Sequence, residues 1–273
     1  MEKNLIILLI ISILLLISVL IIINLIIINK NEKIRKIVID YNYNNDINYP
    51  SLLVLNNKGR YTTSIENDRD KIMLVYGDRR YIKYIYIDIN NCQIIDKDKP
   101  STTIIIKSGL KDLRVFSFNY RLYISANYKD KMRILSIQMK RTYKTRLDNG
   151  YYFMDGDRYM VITEDFKIYE IDDINFRIKM EIGELNINME GIKIETNPIK
   201  VNKEWIMICI NGEGELIIIK FELEGLMIRM MSKINIEERI RPMGIIYNKI
   251  TNEIYISTMN NNRKMVIYKI KDI

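Results

Sequence analysis

The sequence predicts an all-β fold, a five-bladed β-propeller preceded by one N-terminal transmembrane helix. Three observations predict it: a recurring strand–turn–strand pattern, a regular period, and one long apolar segment near the amino terminus. The turn positions Asn56, Asn119, Asp155, Asn202 and Asn248 span 192 residues, so successive turns lie 48 residues apart on average. A period in the forties that contains about four strands is typical of propeller blades. A two-sheet sandwich is the structural alternative, but it would need no such period.

The first element is the apolar segment Leu5–Ile28, whose 24 residues are interrupted only by two serines and one asparagine. As a helix it would be about 36 Å long, which is enough to cross a bilayer core with some tilt. No small-residue cleavage site follows it, which favours an uncleaved anchor over a signal peptide. We therefore predict a membrane anchor with a basic flank over residues 1–36 and a propeller over residues 37–273, in a single-pass membrane protein.

The side of the membrane follows less directly from the sequence. Lys30, Lys33, Arg35 and Lys36 come after the apolar segment, whereas Lys3 is the one basic side chain before it. Positive charge beside a membrane helix tends to stay on the cytoplasmic side. The flank therefore favours a cytoplasmic propeller, whereas a lumenal enzyme of the usual anchored kind would need the opposite topology.

The repeats place the blades at residues 48–90, 103–146, 148–190, 192–236 and 240–273. In blade one, Pro50–Leu55 and Arg60–Ile65 form the predicted first pair of strands, and a third strand begins at Lys71. The outer strand of blade two is poorly defined. The isolated strand Lys36–Asp40 has no partner nearby in sequence, and we expect it to be the outer strand of blade five. Closure by an N-terminal strand would also cover an exposed sheet edge.

Composition excludes several kinds of chemistry. The chain has no histidine, which rules out Ser-His-Asp and Cys-His catalysis and histidine-containing zinc sites. Catalysis would have to use carboxylates, lysine, tyrosine or a metal with oxygen ligands, and we predict neither a metal nor a cofactor. The net charge of +8 is spread along the chain, so we expect no nucleic acid partner. Cys92 and Cys209 define no disulfide framework, and Cys209 lies in an apolar run that predicts a core position.

Polar residues recur where the innermost strand of each blade is predicted to begin. These clusters are Asn48–Ser51, Asp112–Arg114, Asp148–Gly150, Asn197–Pro198 and Arg241–Gly244. In a propeller these positions converge near the axis, where carboxylate, amide and guanidinium groups suit a ligand with many hydroxyls. The structural alternative is that proline fits the first residue of a strand and that asparagine or aspartate caps a turn.

Some of these segments resemble a known group of proteins. Gly109–Phe116 (GLKDLRVF), followed by Ser117–Ile124 (SFNYRLYI), is similar to the blade signature of five-bladed propeller glycan-processing proteins. That group includes furanosidase-like glycosidases, mannoside phosphorylases and related glycosyltransferase-like propellers. Shorter likenesses to other blades of the group occur at Asn48–Ser51, Arg146–Phe153 and Arg241–Ile246. The resemblance covers most of residues 48–273.

The resemblance implies a carbohydrate ligand and a set of site residues. Asp112 would be the catalytic acid or an acceptor for a sugar hydroxyl. Arg114 would hold an anionic or hydroxyl group, and Asn149 would supply paired amide contacts. Asn48 and Arg241 would complete the substrate-binding set from the first and last blades.

Whether the protein is an enzyme stays open at this point. If it is one, the resemblance implies a glycosidase, a glycoside phosphorylase or a glycosyltransferase. Lys111 and Leu113 stand where the signature has glutamate and proline, which leaves simple glycan binding as an equal reading. The alternative function is a non-enzymatic propeller scaffold that binds a protein partner at a membrane.

Overall fold

A computed structural model of the protein describes most of residues 34–271. The gaps are 40–46, 79–80, 89–92, 96–100, 106–109, 129–130, 139–140, 146, 148, 188–189, 235, 237–239 and 260–264. The predicted anchor Leu5–Ile28 lies outside the described residues. Within the described part, no helix is both long enough and apolar enough to cross a membrane.

The described strands form five sheets, antiparallel except for one short parallel pairing in blade five, which confirms the predicted five-bladed β-propeller. The strands of blade one are Ile47–Leu55, Tyr61–Thr62, Lys71–Asp78, Tyr81–Asp88, Gln93–Ile94 and Ser101–Ile105. Those of blade two are Leu110–Phe118, Arg121–Tyr128, Lys131–Ser136 and Arg141–Lys144. Those of blade three are Gly150–Asp155, Arg158–Thr163, Lys167–Ile171 and Ile178–Glu184.

Blades four and five complete the ring. The strands of blade four are Lys193–Ile194, Ile199–Val201, Glu204–Ile210, Leu216–Glu222 and Met227–Ile234, with a short 3-10 helix at Glu224–Leu226. Those of blade five are Arg241–Asn248, Glu253–Met259 and Met265–Lys271, joined by the short strand Ser64–Ile65 and by Ile34–Ile39.

The N-terminal strand closes the ring as predicted. Ile34–Ile39 pairs antiparallel with Met265–Lys271 on the outside of blade five, with Ile34 opposite Ile270 and Ile39 opposite Met265. Blade five is therefore built from both ends of the described chain, so folding of this blade must bring distant segments together.

Two predicted strand assignments in blade one are wrong. The main partner of Ile47–Leu55 is Lys71–Asp78 rather than Arg60–Ile65. Tyr61–Thr62 pairs only with the end of the inner strand, and Ser64–Ile65 instead pairs in parallel with the inner strand of blade five. Ser101–Ile105, which falls partly in the predicted second blade, pairs with Tyr81–Asp88 of the first. The alternation of apolar and polar residues cannot reveal these partners, because it indicates that a segment is a strand without indicating which strand it pairs with.

The core is divided into five apolar clusters, one between each pair of neighbouring blades. The inner strands are buried on both sides, so they read as continuous apolar runs; Leu52, Leu53 and Val54 are at most 2% exposed. Blades five and one approach each other closely at Gly244, where a Cβ atom would lie 2.4 Å from the backbone nitrogen of Leu52. This close approach explains why glycine occupies that position.

Candidate functional site

The innermost strands all run in the same direction, which gives the propeller two distinct faces. We call the end where these strands begin the upper face and the end where they finish the lower face. Contacts between neighbouring blades join like ends: Arg241 reaches Glu195 at the upper face, and Lys200 reaches Asp155 at the lower face. Asn48, Asp112, Asn149 and Arg241 lie at or near the upper beginnings of inner strands, whereas Arg114 lies in the middle of the strand Leu110–Phe118.

Arg114 is a buried charged side chain, at 5% exposure. Its guanidinium stacks over the ring of Tyr151 at 4.2 Å, and its Nη2 atom donates a hydrogen bond to the Tyr151 hydroxyl at 3.0 Å. That hydroxyl in turn donates to the backbone carbonyl of Ile194. The chain of contacts therefore fixes the guanidinium across blades two, three and four.

The other terminal nitrogen of Arg114, Nη1, is buried and has no hydrogen-bond partner among the described residues. A guanidinium carries five N–H donors, and an unsatisfied buried donor costs about 1–3 kcal/mol. Such a cost is usually found where the group has a further task, because a purely structural arginine would be satisfied within the fold. Nη1 is therefore an unused donor held in a fixed direction.

Two carboxylates form hydrogen bonds at the upper face. Glu195 is nearly buried, with 11% of its side chain exposed, and accepts a hydrogen bond from Nε of Arg241 at 2.9 Å. Glu164 accepts a hydrogen bond from Nδ2 of Asn149, also at 2.9 Å. The first pair joins blades five and four, and the second lies within blade three; both are at the upper face. Each pair places a hydrogen-bond donor, a guanidinium or a neutral amide, against a carboxylate acceptor.

The pKa of the Tyr151 hydroxyl responds to Arg114 and to both carboxylates. Burial raises the pKa of the Tyr151 hydroxyl; Arg114 acts in the opposite direction, and Glu195 and Glu164 both add to the increase. Two carboxylates from different blades therefore act on the same phenolic oxygen that receives the Arg114 hydrogen bond. At neutral pH the hydroxyl remains protonated and serves as a donor.

Three of the five predicted site residues are connected with Tyr151. Arg114 bonds directly to its hydroxyl. Asn149 and Arg241 bond to Glu164 and Glu195, the two carboxylates that raise the pKa of this hydroxyl. Asn48 and Asp112 lie in the inner strands of blades one and two, but their side chains are not among those described. The assignment of Asp112 as a catalytic acid therefore stays a prediction.

Two of the polar clusters have structural roles. The Asn197 side chain accepts a hydrogen bond from Tyr152 N at 2.9 Å and donates to the Val115 carbonyl at 3.0 Å, so it ties three blades together. Ser51 donates to the Met243 carbonyl at 3.2 Å across the junction of blades one and five. At these positions the side chains hold neighbouring blades together, which is a structural role different from the turn capping that the sequence suggested.

Sequence reasoning missed Tyr151, Glu164 and Glu195. A signal for Glu195 was present: it lies 46 residues before Arg241, close to one blade period. Residues one period apart occupy equivalent places in neighbouring blades, so they lie near each other across the ring. The prediction that Cys209 is a core residue is confirmed, since it is fully buried and burial raises the pKa of its thiol.

The chemistry available at this site is hydrogen bonding from fixed donors and acceptors, together with two carboxylates. Among the described residues, no three Asp, Glu or Cys side chains converge as a metal-binding group.

Comparison with known proteins supports the fold. No family model matches the sequence, and no curated protein matches it. A hypothetical protein from Leishmania major has a similar structure, with a TM-score of 0.57 and 9% identity over 89% of this chain and 92% of its own. An engineered GH43 glycoside hydrolase with both endo-xylanase and exo-arabinofuranosidase activity gives a TM-score of 0.57 and 8% identity, over 86% of this chain and 51% of its own.

A second GH43 protein, GH43B from a xyloglucan locus of Bacteroides ovatus, gives a TM-score of 0.54 and 9% identity. The alignment covers 85% of this chain and 54% of that protein. The chain thus spans about half the length of the two glycoside hydrolase structures. At this level of identity the likeness shows a shared five-bladed propeller fold.

Proposed function

We propose that this propeller binds a carbohydrate at its upper face, beside Arg114, Tyr151, Glu195 and Arg241. The observation that carries the proposal is the buried, unpartnered Nη1 of Arg114. A sugar hydroxyl both accepts and donates hydrogen bonds, so it can receive one from Nη1 and give one to a neighbouring carboxylate. One GH43 structure that shares this fold is named as a glycoside hydrolase and the other as a GH43 protein of a xyloglucan locus, which supports the same class of ligand.

The charges at the site favour a neutral polyhydroxylated ligand over a polyanion. Glu195 and Glu164 both influence the hydroxyl to which Arg114 is bonded. Carboxylates near a ligand would repel a phosphate or sulfate group, whereas they are good acceptors for sugar hydroxyls. The alternation of donors and acceptors therefore matches the surface of a sugar ring better than the surface of an anion.

Glycan processing is the finer proposal at the same site. Hydrolysis of a glycosidic bond requires a pair of carboxyl groups, or one carboxyl group and an external nucleophile. Glu195 and Glu164 are the described carboxylates available, and Asp112 is the predicted acid. Turnover is tested once a bound sugar is known, by replacing each of these three carboxylates by its amide and measuring product formation.

The first experiment is a glycan array probed with the full-length chain, followed by titration of the best ligand. The variant Arg241→Met removes one upper-face cation, and Lys200→Met is the matched control at the lower face. The two cations are equally exposed, at 49% and 48%, and each lies 2.9 Å from its carboxylate. Loss of a hydrogen bond from a charged donor, worth about 1.5–3 kcal/mol, should weaken binding by about 10- to 100-fold.

Binding that weakens in Arg241→Met and stays unchanged in Lys200→Met would support a sugar site at the upper face. Equal weakening in both variants would place the ligand elsewhere. If the folded wild-type chain retains no glycan on the array, the carbohydrate proposal fails and the scaffold alternative takes its place.

A further inference from the structure

The lower face carries the most exposed large apolar side chains of the described residues. Every blade contributes at least one, each between 44% and 61% exposed: Ile95, Tyr120, Ile174, Met227 and Ile250 for blades one to five, with Ile178 and Met180 beside Ile174. These residues lie in, or beside, turns at the end of the propeller where the inner strands finish. Exposed apolar residues gathered on one side of a molecule mark a protein-binding or membrane-binding surface.

The direction of the closing strand shows where the N-terminal segment enters the propeller. Ile34 lies opposite Ile270, next to Lys271, and Lys271 is in turn paired with Glu253 at the turn that follows Asn248. Asn248 is the last residue of the inner strand of blade five. The chain therefore enters at the lower face and runs towards the upper face.

The connection to the apolar segment is short. Five residues separate Ile28 from Ile34, so even a fully extended chain spans only about 20 Å between them. The inner strands have up to nine residues, which makes the propeller about 30 Å tall at about 3.3 Å per residue. A chain that starts at the lower end of blade five could not reach from there past the upper face.

From these observations we propose that the lower face rests on a lipid bilayer, with its apolar turn residues in the membrane interface and the upper face directed towards water. The occupant is a bilayer because the 24-residue apolar segment Leu5–Ile28 is tethered to this same face. Exposed aliphatic and tyrosine side chains are suited to the headgroup boundary, where an apolar body and a polar tip are both accommodated. A ligand of the upper face would then arrive from the aqueous phase.

The test uses the full-length chain reconstituted into phosphatidylcholine vesicles that contain phosphatidylcholine spin-labelled near the headgroup. A fluorescent thiol label is placed in turn at Ile250→Cys and Tyr120→Cys on the lower face, and at Glu213→Cys on the upper face as the matched control. Glu213 is an exposed turn residue between two strands of blade four, so labelling it disturbs no packed group. Each variant also carries Cys92→Ser, while the native Cys209 is fully buried and burial raises the pKa of its thiol.

The expected result is that both lower-face labels lose about half of their emission to the lipid spin label, because interfacial side chains lie about 5–10 Å into the headgroup boundary. The label at position 213 should be unaffected. Equal quenching at all three positions, quenching at position 213 alone, or no quenching at any of them would overturn the proposal. Failure of the full-length chain to enter the vesicles would overturn it as well. None of these outcomes depends on sugar binding, so the orientation and the proposed function are tested separately.

Discussion

Replacement of Arg114 by methionine tests whether this buried cation serves a ligand or the fold. Methionine has a similar length and no charge, so it fills the same space beside Tyr151. If Arg114 belongs to a binding site, Arg114→Met should abolish glycan binding and leave the protein as stable as the wild type. If Arg114 is structural, the same change should unfold or strongly weaken the propeller.

The magnitude follows from the contacts of the guanidinium. Arg114→Met removes the hydrogen bond to Tyr151, worth about 1.5–3 kcal/mol, and the stacking contact, worth about 0.5–2 kcal/mol. It also removes the cost of the unpaired Nη1, about 1–3 kcal/mol, and the desolvation of a buried charge, several kcal/mol more. Tyr151 keeps its hydrogen bond to the Ile194 carbonyl. The free energy of unfolding should therefore stay within about 1 kcal/mol of the wild-type value, or rise.

The assay is urea unfolding followed by tryptophan fluorescence. Trp205 is the one tryptophan of the chain and is 3% exposed, so its emission reports opening of the propeller. Arg114→Lys serves as the control, because it keeps a buried charge but loses the fixed fork of donors, and it should be about 2 kcal/mol less stable. If the free energy of unfolding of Arg114→Met falls by more than about 3 kcal/mol while its dependence on urea concentration is unchanged, the argument is refuted and Arg114 is a structural residue.

Three further predictions concern the stability and closure of the propeller fold. Gly244→Ala should lower the free energy of unfolding by about 2–3 kcal/mol, because its Cβ would lie 2.4 Å from a backbone nitrogen of blade one. Burial opposes ionisation of Glu253, but hydrogen bonds from Lys269 and Thr251 outweigh it and hold the pKa of this carboxyl below 4.5. The stability that Glu253 supplies is therefore complete above about pH 4.5 and is lost as the pH falls through the lower, folded-state pKa. In Glu253→Gln the urea concentration at the unfolding midpoint should therefore fall less on acidification than it does in the wild type. Deletion of residues 1–39 should expose the edge at Met265–Lys271 and cause association, seen by light scattering.

Each of these predictions has a matched control. Gly212→Ala should change stability little, because a Cβ there meets nothing within 4 Å. Glu222→Gln removes a carboxyl that is paired with Arg229 on the surface, and should flatten the acid profile less than Glu253→Gln does. Deletion of residues 1–33 keeps the closing strand and should leave the propeller dispersed. Equal effects in a variant and its control would contradict the corresponding argument.

The sequence predicts much of the fold because blade construction depends on local signals. The turn residues Asn119 and Asn202, placed by the repeat, adopt positive φ angles of 44° and 57°, which asparagine tolerates better than most residues do. The isolated strand near Lys36 could be assigned because it had no partner nearby in sequence, while the last blade lacked an outer strand. These inferences require only strand order and the short distances within a hairpin.

The rest depends on which residues meet across the ring. Tyr151 is 37 residues from Arg114 in sequence, and their contact exists only once blades two and three are packed. Glu195 lies between the two parts of the inner strand of blade four without any motif of its own, so only the blade period points to Arg241 as its partner. The failed pairing of Arg60–Ile65 has the same origin, because Ser64–Ile65 finds its partner in blade five at the far end of the chain.

The site and the proposed membrane face are consequences of one strand register. Because Ile34 pairs with Ile270 and not with Met265, the N-terminal segment enters beside the lower turns, at the opposite end from Arg241 and Glu195. A closing strand with the reverse direction would have tethered the chain beside the polar cluster and the loops that surround it. Antiparallel pairing in blade five therefore closes the ring and also keeps the tether away from the candidate sugar site. Since this separation follows from the backbone, substitutions at the upper face can change ligand binding without altering how the propeller is held.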